Sequence, residues 1–342
     1  MTMAGEPILI WGAGAIGGTV GAYLIRAGVP VLFVDRSAEH VAAINRDGLL
    51  INGPIEEFRV AAKAATTDGV AGKFKLCFLC VKAHDTAAAI DALAPFVADD
   101  GCVVSLQNGL NELVIAKRVG EKRTVGSFVN FGADYISPGV VHYAGQGTFV
   151  VGELDGKITP RIEEIHRLVR LFNPNAVLSP NVWGYLWSKL SYGALLFATA
   201  LTNDSIADCL AAQKYRKVLI ALAREVVAIA LAKGVTLEPF DGFDPRAFLP
   251  GSGSAADESM DAMVIHNRKS AKTHSGIWRD LAVRKRKTEV EAQLGPVVAT
   301  AKSLGLTAPL TQRTLELIHD IEDGRRPLAW ETLDELVKVL PK

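Results

Sequence analysis

Apolar runs of strand length alternate with segments of helical spacing through the first half of the chain. The strand-like runs cover residues 8–11, 30–34, 48–51, 55–60, 74–81 and 102–106. The helix-like segments cover residues 19–26, 38–46, 85–97 and 161–172. This alternation predicts a parallel, doubly wound sheet. Shorter strands between residues 125 and 152, punctuated by Gly and Pro, predict antiparallel strands that complete the sheet.

Helical spacing dominates the second half, where strand-like runs nearly vanish. The helical segments cover residues 182–201, 214–233, 285–304 and 309–322. The stretch 238–263 is rich in Gly, Pro, Asp and Ser, a composition that predicts a surface loop or an insertion. The chain is long enough for about two domains. The pattern therefore predicts an α/β domain over residues 1–178 followed by an all-α domain over residues 179–342.

A glycine-rich turn follows the first apolar run and precedes a predicted helix. It reads Gly12-Ala13-Gly14-Ala15-Ile16-Gly17. In such a G-x-G-x-x-G turn the first glycine allows a tight turn, the second lets the backbone approach a pyrophosphate, and the third lets the helix pack closely on the sheet. The helix N-terminus adds free N–H groups and a partial positive charge. The context favours a Rossmann dinucleotide-binding domain over a glycine turn in an unrelated α/β protein.

An acidic residue, Asp35, follows the second apolar run. It lies 18 residues after Gly17, where a carboxylate would meet the adenosine ribose 2′-hydroxyl. Asp35 would repel a 2′-phosphate, whereas Arg36 beside it could cradle that phosphate if Asp35 turned away. The expected cofactor is NAD(H) or NADP(H), with NAD(H) favoured.

Composition excludes several classes of protein. The 37 basic and 37 acidic side chains give no net charge, which argues against a nucleic-acid or membrane-surface partner. No apolar run reaches the roughly 18 residues of a membrane span, and the first residues lack a basic leader, so we expect a cytoplasmic protein. Cys77 and Cys80 form a C-x-x-C inside a predicted strand, where they would point to opposite faces. We expect free core thiols and no metal site.

Polar residues follow two of the predicted strands. Lys82 comes directly after the run 74–81, and Asn108 comes just after the run 102–106. Ligands of open α/β sheets bind beyond the carboxyl ends of the strands, where a cofactor ribose or nicotinamide would pass. A solvated loop lysine and an ordinary turn asparagine are the alternatives. We favour the functional interpretation for both, with His84 as a nearby supporting residue.

Two further charged residues lie on predicted helices of the second half. Lys189 stands early in an almost wholly apolar helix, so it either snorkels to the surface or is held there for general acid–base chemistry. Glu289 lies four residues after Lys285, a spacing typical of an ion pair on a solvated helix face. The residues alone leave Lys189 open and favour the solvated face for Glu289.

Taken together, these motifs resemble the ketopantoate reductase (2-dehydropantoate 2-reductase) family. The residues that carry the resemblance are the glycine turn with Gly18, Val81-Lys82, Gln107-Asn108-Gly109, Trp187-Ser188-Lys189-Leu190 and Thr288-Glu289. The resemblance implies a Rossmann domain followed by an all-α domain, as in 6-phosphogluconate dehydrogenase. It implies that Lys189 protonates the ketone oxygen while a hydride arrives from NADPH. It also implies that Glu289 holds the substrate hydroxyl, and that Lys82 and Asn108 contact cofactor and substrate.

The chain departs from the family at the substrate pocket. Family members that reduce ketopantoate carry asparagines one and two turns after the catalytic lysine, where this chain has Gly193 and Phe197. In the stretch 272–280, Ser275 and Asp280 fit the family's substrate-binding segment, and His274 is the preferred pocket histidine. Arg279 and the basic run 284–287 around it favour either a solvated helix face or a pocket for a differently charged substrate such as a sugar acid.

Three functions therefore remain open. The first is reduction of 2-dehydropantoate to pantoate, and the second is a dehydrogenase for a different small hydroxy acid or sugar acid. The third is a dinucleotide-binding regulatory protein without catalysis, against which the presence of Lys189 and Glu289 argues. An opine-type dehydrogenase is disfavoured because no histidine stands in a matching base–acid motif. The long apolar helices leave room for a homodimer.

Overall fold

The computed structural model describes residues 5–269 and 273–340. The chain divides into two compact units, Met1–Val182 and Trp183–Lys342. Residues 179–182 belong to the first unit and pack on its sheet. The Ser179 N–H donates to the Val151 carbonyl at 3.0 Å, and a side chain on Gly152 would meet Ser179 and Val182.

The N-terminal unit is an α/β unit built on one large sheet. Its strands are β1 (Ile8–Trp11), β2 (Val31–Val34), β3 (Leu49–Asn52), β4 (Phe58–Val60), β5 (Lys63–Ala65), β6 (Phe74–Leu79), β7 (Val97–Ser105), β8 (Thr124–Val129), β9 (Gly132–Ser137), β10 (Val140–Gly145), β11 (Phe149–Glu153) and β12 (Val177–Leu178). Its helices are α1 (Ala15–Arg26), α2 (Ala38–Asp47), α3 (Thr86–Leu93), α4 (Glu112–Val119) and α5 (Pro160–Val169). Within residues 5–182 the large sheet has eight strands in the order β12-β11-β8-β7-β6-β1-β2-β5.

The large sheet is buried on both faces, as the continuous apolar runs predict. Along β1, Ile8 and Ile10 belong to the core on one face, while Leu9 and Trp11 belong to the core on the other. Each pair of neighbours in the sheet order β5-β2-β1-β6-β7-β8 runs parallel. The next strand, β11, pairs antiparallel with β8. The predicted doubly wound sheet with antiparallel completion is confirmed for these strands. Parallel strands covered by helices on both faces read as unbroken apolar runs.

The prediction that all strands between 125 and 152 complete this sheet is wrong for β9 and β10. These two strands form a second sheet with β3 and β4, in the order β4-β3-β10-β9. The reason lies in their side-chain pattern. In β10 the buried Val141 and Tyr143 alternate with more exposed positions, so the strand suits a sheet with one covered face.

The described part of the C-terminal unit is helical. Its helices are α6 (Val182–Thr199), α7 (Ile206–Ala211), α8 (Gln213–Ala232), α9 (Ala255–Lys269), α10 (Gly276–Trp278), α11 (Val290–Ser303), α12 (Pro309–Glu322) and α13 (Trp330–Val337). A π-helical turn, Arg279–Val283, continues α10. The α/β unit followed by helices confirms the predicted fold class. Among the described residues, none of the helices combines the length and the apolar character needed to cross a membrane.

Two predictions about this unit are wrong. The stretch 238–263 is not a surface loop, because Phe240, Phe243 and Phe248 are buried and contact one another through their rings. The helix predicted from residue 285 begins only at Val290, and Lys285 has a left-handed backbone with φ of 48°. Lys285 and Glu289 therefore both precede the helix, so the expected ion pair between them on one helix face is wrong.

Candidate functional site

In the glycine turn between β1 and α1, Gly12 and Gly17 have no room for a side chain, whereas Gly14 does. Gly12 has φ of 101°, and a Cβ there would lie 3.0 Å from the backbone of Cys80 and Val81. A Cβ on Gly17 would overlap the Gly12 carbonyl oxygen. At Gly14 no described atom lies within 4 Å of the Cβ position. The turn therefore presents bare backbone at the helix N-terminus with room for a pyrophosphate, and these residues fit a dinucleotide.

The Asp35 carboxylate at the end of β2 is fixed by two backbone N–H groups. Ala13 of the glycine turn donates to Oδ2 at 3.0 Å, and Ser37 donates to Oδ1 at 2.9 Å. Arg36 points elsewhere, because its side chain is 82% exposed and lies 3.4 Å from the Asp85 carboxylate. The carboxylate is thus held beside the dinucleotide turn and does not turn away from it.

A buried histidine that the sequence did not single out supports the same turn. His40 Nε2 donates to the Ala13 carbonyl at 2.9 Å, and its Nδ1 accepts from the Gly139 N–H at 2.9 Å. These two partners, a carbonyl and an N–H, assign the neutral tautomer protonated at Nε2. His40 thereby ties the glycine turn to the β9–β10 hairpin. No local pattern around His40 signals this role, because Gly139 is far away in sequence.

A buried hydrogen-bond network joins the ends of β6 and β7. Gln107 Nε2 donates to the Val81 carbonyl at 2.9 Å and to Thr86 Oγ1 at 2.7 Å. Thr86 Oγ1 donates to Asn111 Oδ1 at 2.8 Å, and Asn111 Nδ2 donates to the Asn108 carbonyl at 2.6 Å. The network holds the loop after β6 and the turn after β7 in one arrangement.

Lys82 and Asn108 lie on these two connections. Lys82 is exposed, directly after Val81, and Asn108 is half-buried in a turn that Gly109 completes with φ of 97°. Because β1, β6 and β7 are parallel neighbours, the glycine turn and both residues share the carboxyl edge of the sheet. Their contact with a cofactor or substrate stays a prediction.

Glu112, the first residue of α4, is fully buried. Neither carboxylate oxygen has a hydrogen-bond partner of normal geometry among the described residues. Burial raises the pKa of this carboxyl to about 8, although the nearby Ser105 hydroxyl and Ser127 backbone lower it in part. A glutamate in the first turn of a helix is ordinary in a sequence, so nothing local marks this one as unusual.

Lys189 lies on the first half of α6 and is half-buried. Its neighbours fix the rotation of the helix: Trp187 is fully buried, and Ser188 Oγ donates to the Gly184 carbonyl at 2.7 Å and accepts from the Glu238 N–H at 3.1 Å. Lys189 is therefore the charged residue of α6 and directly follows two buried residues.

Glu289 precedes α11 and is only 8% exposed, so the solvated helix face favoured by the residues alone is wrong. The neighbouring residue is anchored: Thr288 donates through its N–H, at 2.6 Å, and its hydroxyl, at 2.7 Å, to Glu322 Oε1. Glu322 Oε2 in turn lies 2.8 Å from His319 Nδ1. This anchoring stops the helix short of residue 289 and leaves Glu289 buried at its start.

The helices α6 and α11 face each other at Gly193 and Gln293. The position of a Cβ on Gly193 lies 3.7 Å from Gln293 Oε1. Lys189 stands one turn before Gly193 on α6, and the Glu289 carbonyl accepts from the Gln293 N–H at 3.0 Å. Lys189 therefore lies one turn before this contact on α6, and Glu289, the residue that precedes α11, lies four residues before Gln293. Phe197, a further turn along α6, is fully buried.

The three candidates from the stretch 272–280 are engaged in local structure, and Lys272 lies outside the described residues. Ser275 accepts from the Trp278 N–H at 3.1 Å and caps α10. The His274 ring packs on Trp278 with centroids 4.0 Å apart. Asp280 Oδ1 pairs with Arg284 at 3.1 Å and Arg286 at 2.9 Å. Two cations of the basic run thus neutralise Asp280. Substrate binding by these residues stays a prediction.

Sequence comparisons match both halves of the chain to one family. Residues 8–156 match the family described as "Ketopantoate reductase PanE/ApbA", and residues 181–322 match its C-terminal domain. The 2-dehydropantoate 2-reductase of Pyrococcus abyssi is 30% identical over 315 residues, 89% of this chain and 93% of that one. That of Halobacterium salinarum is 27% identical over 318 residues, 91% and 97% of the two chains.

Structural comparisons give the same fold. A D-mandelate dehydrogenase solved with NADH and anilino(oxo)acetate superposes with a TM-score of 0.81 at 21% identity, covering 93% of this chain and 99% of that one. A PanE/ApbA family ketopantoate reductase from Ralstonia eutropha superposes with a TM-score of 0.79 at 24% identity, covering 94% and 99%. With both family domains matched along most of its length, this chain belongs to the ketopantoate reductase family of NAD(P)-dependent oxidoreductases.

Proposed function

We propose that this protein reduces a small 2-keto acid to the 2-hydroxy acid, with 2-dehydropantoate as the first candidate substrate. The observation that carries the proposal is the position of Lys189 and Glu289, each one turn before the contact between α6 and α11. An ammonium and a buried carboxylate around one contact supply a proton donor and a hydrogen-bond acceptor for a keto acid. The names of the curated relatives support the same reaction.

The chemistry divides between cofactor and protein. Bound nicotinamide dinucleotide supplies the hydride for the carbonyl carbon. Negative charge then develops on the carbonyl oxygen, where the Lys189 ammonium stabilises it and donates a proton from Nζ. The Glu289 carboxylate accepts a hydrogen bond from the substrate hydroxyl and orients the substrate. Lys82 and Asn108, at the carboxyl edge of the sheet, bind cofactor and substrate.

The glycine turn at Gly14 would hold the pyrophosphate of the cofactor, and Asp35 would hold its adenosine ribose. Because two backbone N–H groups fix the Asp35 carboxylate, it presents its charge where a 2′-phosphate would lie. We expect kcat/KM to be at least about tenfold higher with NADH than with NADPH. In Asp35→Asn, which keeps an acceptor oxygen without the charge, this preference should shrink. Equal use of both coenzymes by the unmodified enzyme would contradict the argument.

The proposal is tested by following absorbance at 340 nm with 2-dehydropantoate and with 2-keto acids that carry smaller, branched and aromatic side chains. Turnover of 2-dehydropantoate at least as efficient as that of the others supports the first candidate. Faster turnover of another 2-keto acid supports the second candidate, which the missing side chain at Gly193 favours. Cofactor binding without turnover of any of these acids would contradict the proposal and favour a regulatory protein. The homodimer stays a prediction.

A further inference from the structure

Tyr135 is an aromatic residue that the second sheet leaves partly exposed beside the glycine turn. In the pairing of β9 with β10 it lies opposite Val141, and residues directly opposite one another project from the same face of a sheet. Val141 is fully buried, and its Cγ2 lies 3.1 Å from the Cβ position of Gly18 near the start of α1. Tyr135 therefore lies on the face that covers the start of α1, yet 40% of its surface is exposed.

A β-bulge determines which way Tyr135 points. Val140 pairs with Ser137 and Val141 pairs with Tyr135, so Ile136 is an extra residue on β9. Without this extra residue Ile136 would stand opposite Val141, and Tyr135 would project from the other face. Bulges re-aim side chains in this way and are common next to active sites.

The Tyr135 ring packs on the histidine that supports the glycine turn. The centroids of the Tyr135 and His40 rings lie 5.1 Å apart, with an angle of 81° between the ring planes. His40 donates to the Ala13 carbonyl, and the Ala13 N–H donates to the Asp35 carboxylate. The exposed Tyr135 side chain therefore adjoins the residues expected to hold the dinucleotide.

The Tyr135 hydroxyl lies close enough to the Asp35 and Glu39 carboxylates to feel their charges. Burial raises the pKa of this phenol, and the two negative charges raise it further. The phenol therefore keeps its proton at neutral pH and stays a hydrogen-bond donor. An ionised carboxylate has about four acceptor sites, so Asp35 can accept from a ribose hydroxyl besides the two backbone N–H groups that fix it. An acceptor and a donor near one another suit a sugar hydroxyl, which both donates and accepts.

We propose that Tyr135 binds the adenosine ribose of the dinucleotide, with its hydroxyl donating to one of the two ribose hydroxyl oxygens. The inference rests on the cofactor site of the proposed function, since it takes Asp35 as the acceptor for the same sugar. Asp35 and Tyr135 then share the recognition of the ribose, one as acceptor and one as donor. A strand of the second sheet thereby supplies a contact that the strand–turn–helix motif does not contain.

The first test measures binding without turnover. NADH is titrated by fluorescence and ADP-ribose by calorimetry. Tyr135→Phe keeps the ring on His40 and removes the hydroxyl, so the dissociation constants of both ligands should rise about 3- to 10-fold, as for one lost hydrogen bond. Tyr135→Ala should raise them further, because the ring is lost as well. The matched control is Tyr215→Phe in the C-terminal unit, which removes a hydroxyl that donates to Asp334 and should leave both constants unchanged.

The second test identifies the hydroxyl that Tyr135 contacts. ADP-ribose analogues that lack the 2′- or the 3′-hydroxyl of the adenosine ribose are titrated into the unmodified protein and Tyr135→Phe. For one of the two analogues the proteins should bind equally well, because the partner of the phenol is already absent. A residue that only supports His40 gives no such coupling.

The outcomes separate the inference from the proposed function. If Tyr135→Phe binds NADH and ADP-ribose as well as the unmodified protein does, the inference fails and the proposed function stands. A weaker binding of ADP-ribose that persists equally with both analogues also overturns the inference, because the phenol then contacts neither hydroxyl. If both tests succeed but the unmodified protein reduces no 2-keto acid, the inference stands and the proposed reaction fails. If the unmodified protein binds neither NADH nor ADP-ribose, both fail.

Discussion

Replacing Lys189 by alanine is expected to lower kcat for the 2-keto acid by roughly 10²- to 10⁴-fold, the usual contribution of a positioned general acid. Hydride transfer turns a neutral carbonyl oxygen into an alkoxide, and in this variant no ammonium stabilises or protonates it. The dissociation constant for NADH should stay within about twofold, because the glycine turn and Asp35 are untouched. The measurement is the steady-state rate at saturating NADH, with cofactor affinity titrated separately. The matched control is Lys217→Ala, an exposed lysine of α8.

A catalytic lysine can be separated from a structural one by chemical rescue. If the lost group is a proton donor, a small primary ammonium ion added to Lys189→Ala should restore part of kcat in proportion to its concentration. An unchanged kcat in the variant would remove Lys189 from the mechanism. A loss that accompanies a lower melting temperature and is not rescued would make Lys189 a packing residue of α6.

The glycine turn and its flanking strands could be predicted because their rules are local. A strand, a G-x-G-x-x-G turn and a helix follow one another within a few residues, so spacing alone carries the meaning. Asp35 could be predicted in the same way, because the motif fixes its distance in sequence from the glycine turn. The unbroken apolar runs of the parallel strands indicate burial on both faces without any knowledge of their partners.

The supporting residues could not be predicted, because their roles arise from distant partners. His40 supports the glycine turn by accepting a hydrogen bond from the Gly139 N–H. Gln107 holds the loop after β6 by donating to the Val81 carbonyl. Neither pair has a characteristic spacing. The start of α11 could not be predicted for the same reason, since Thr288 just before it is anchored by the Glu322 carboxylate on another helix. Helical periodicity over 285–304 contains no sign of that contact.

Glu112→Gln is expected to stabilise the N-terminal unit, by an amount that depends on pH. Burial raises the pKa of the Glu112 carboxyl from an ordinary value of 4.5 to about 8 in the folded protein. Between these two values the folded state holds a proton that the unfolded state has released. The unfolded state therefore binds fewer protons, and the free energy of unfolding falls as pH rises from about 4.5 to about 8. Glutamine keeps the shape of the protonated acid and has no such dependence.

The free energy of unfolding of Glu112→Gln should therefore exceed that of the unmodified protein by an amount that grows across this pH window. Below pH 4.5 the Glu112 carboxyl is protonated in both the folded and the unfolded state, so the difference in the free energy of unfolding is close to its minimum. Above pH 8 the difference levels off, on the order of 5 kcal/mol for a shift of this size. Hydrogen exchange of β7 and β8 amides, which flank α4, reports on this unit in the full chain. Glu121→Gln, at an exposed position just after α4, should show no pH-dependent difference. A stability difference that is constant with pH would mean that Glu112 is charged in the folded protein, with a cation or water supplying the partners its oxygens lack.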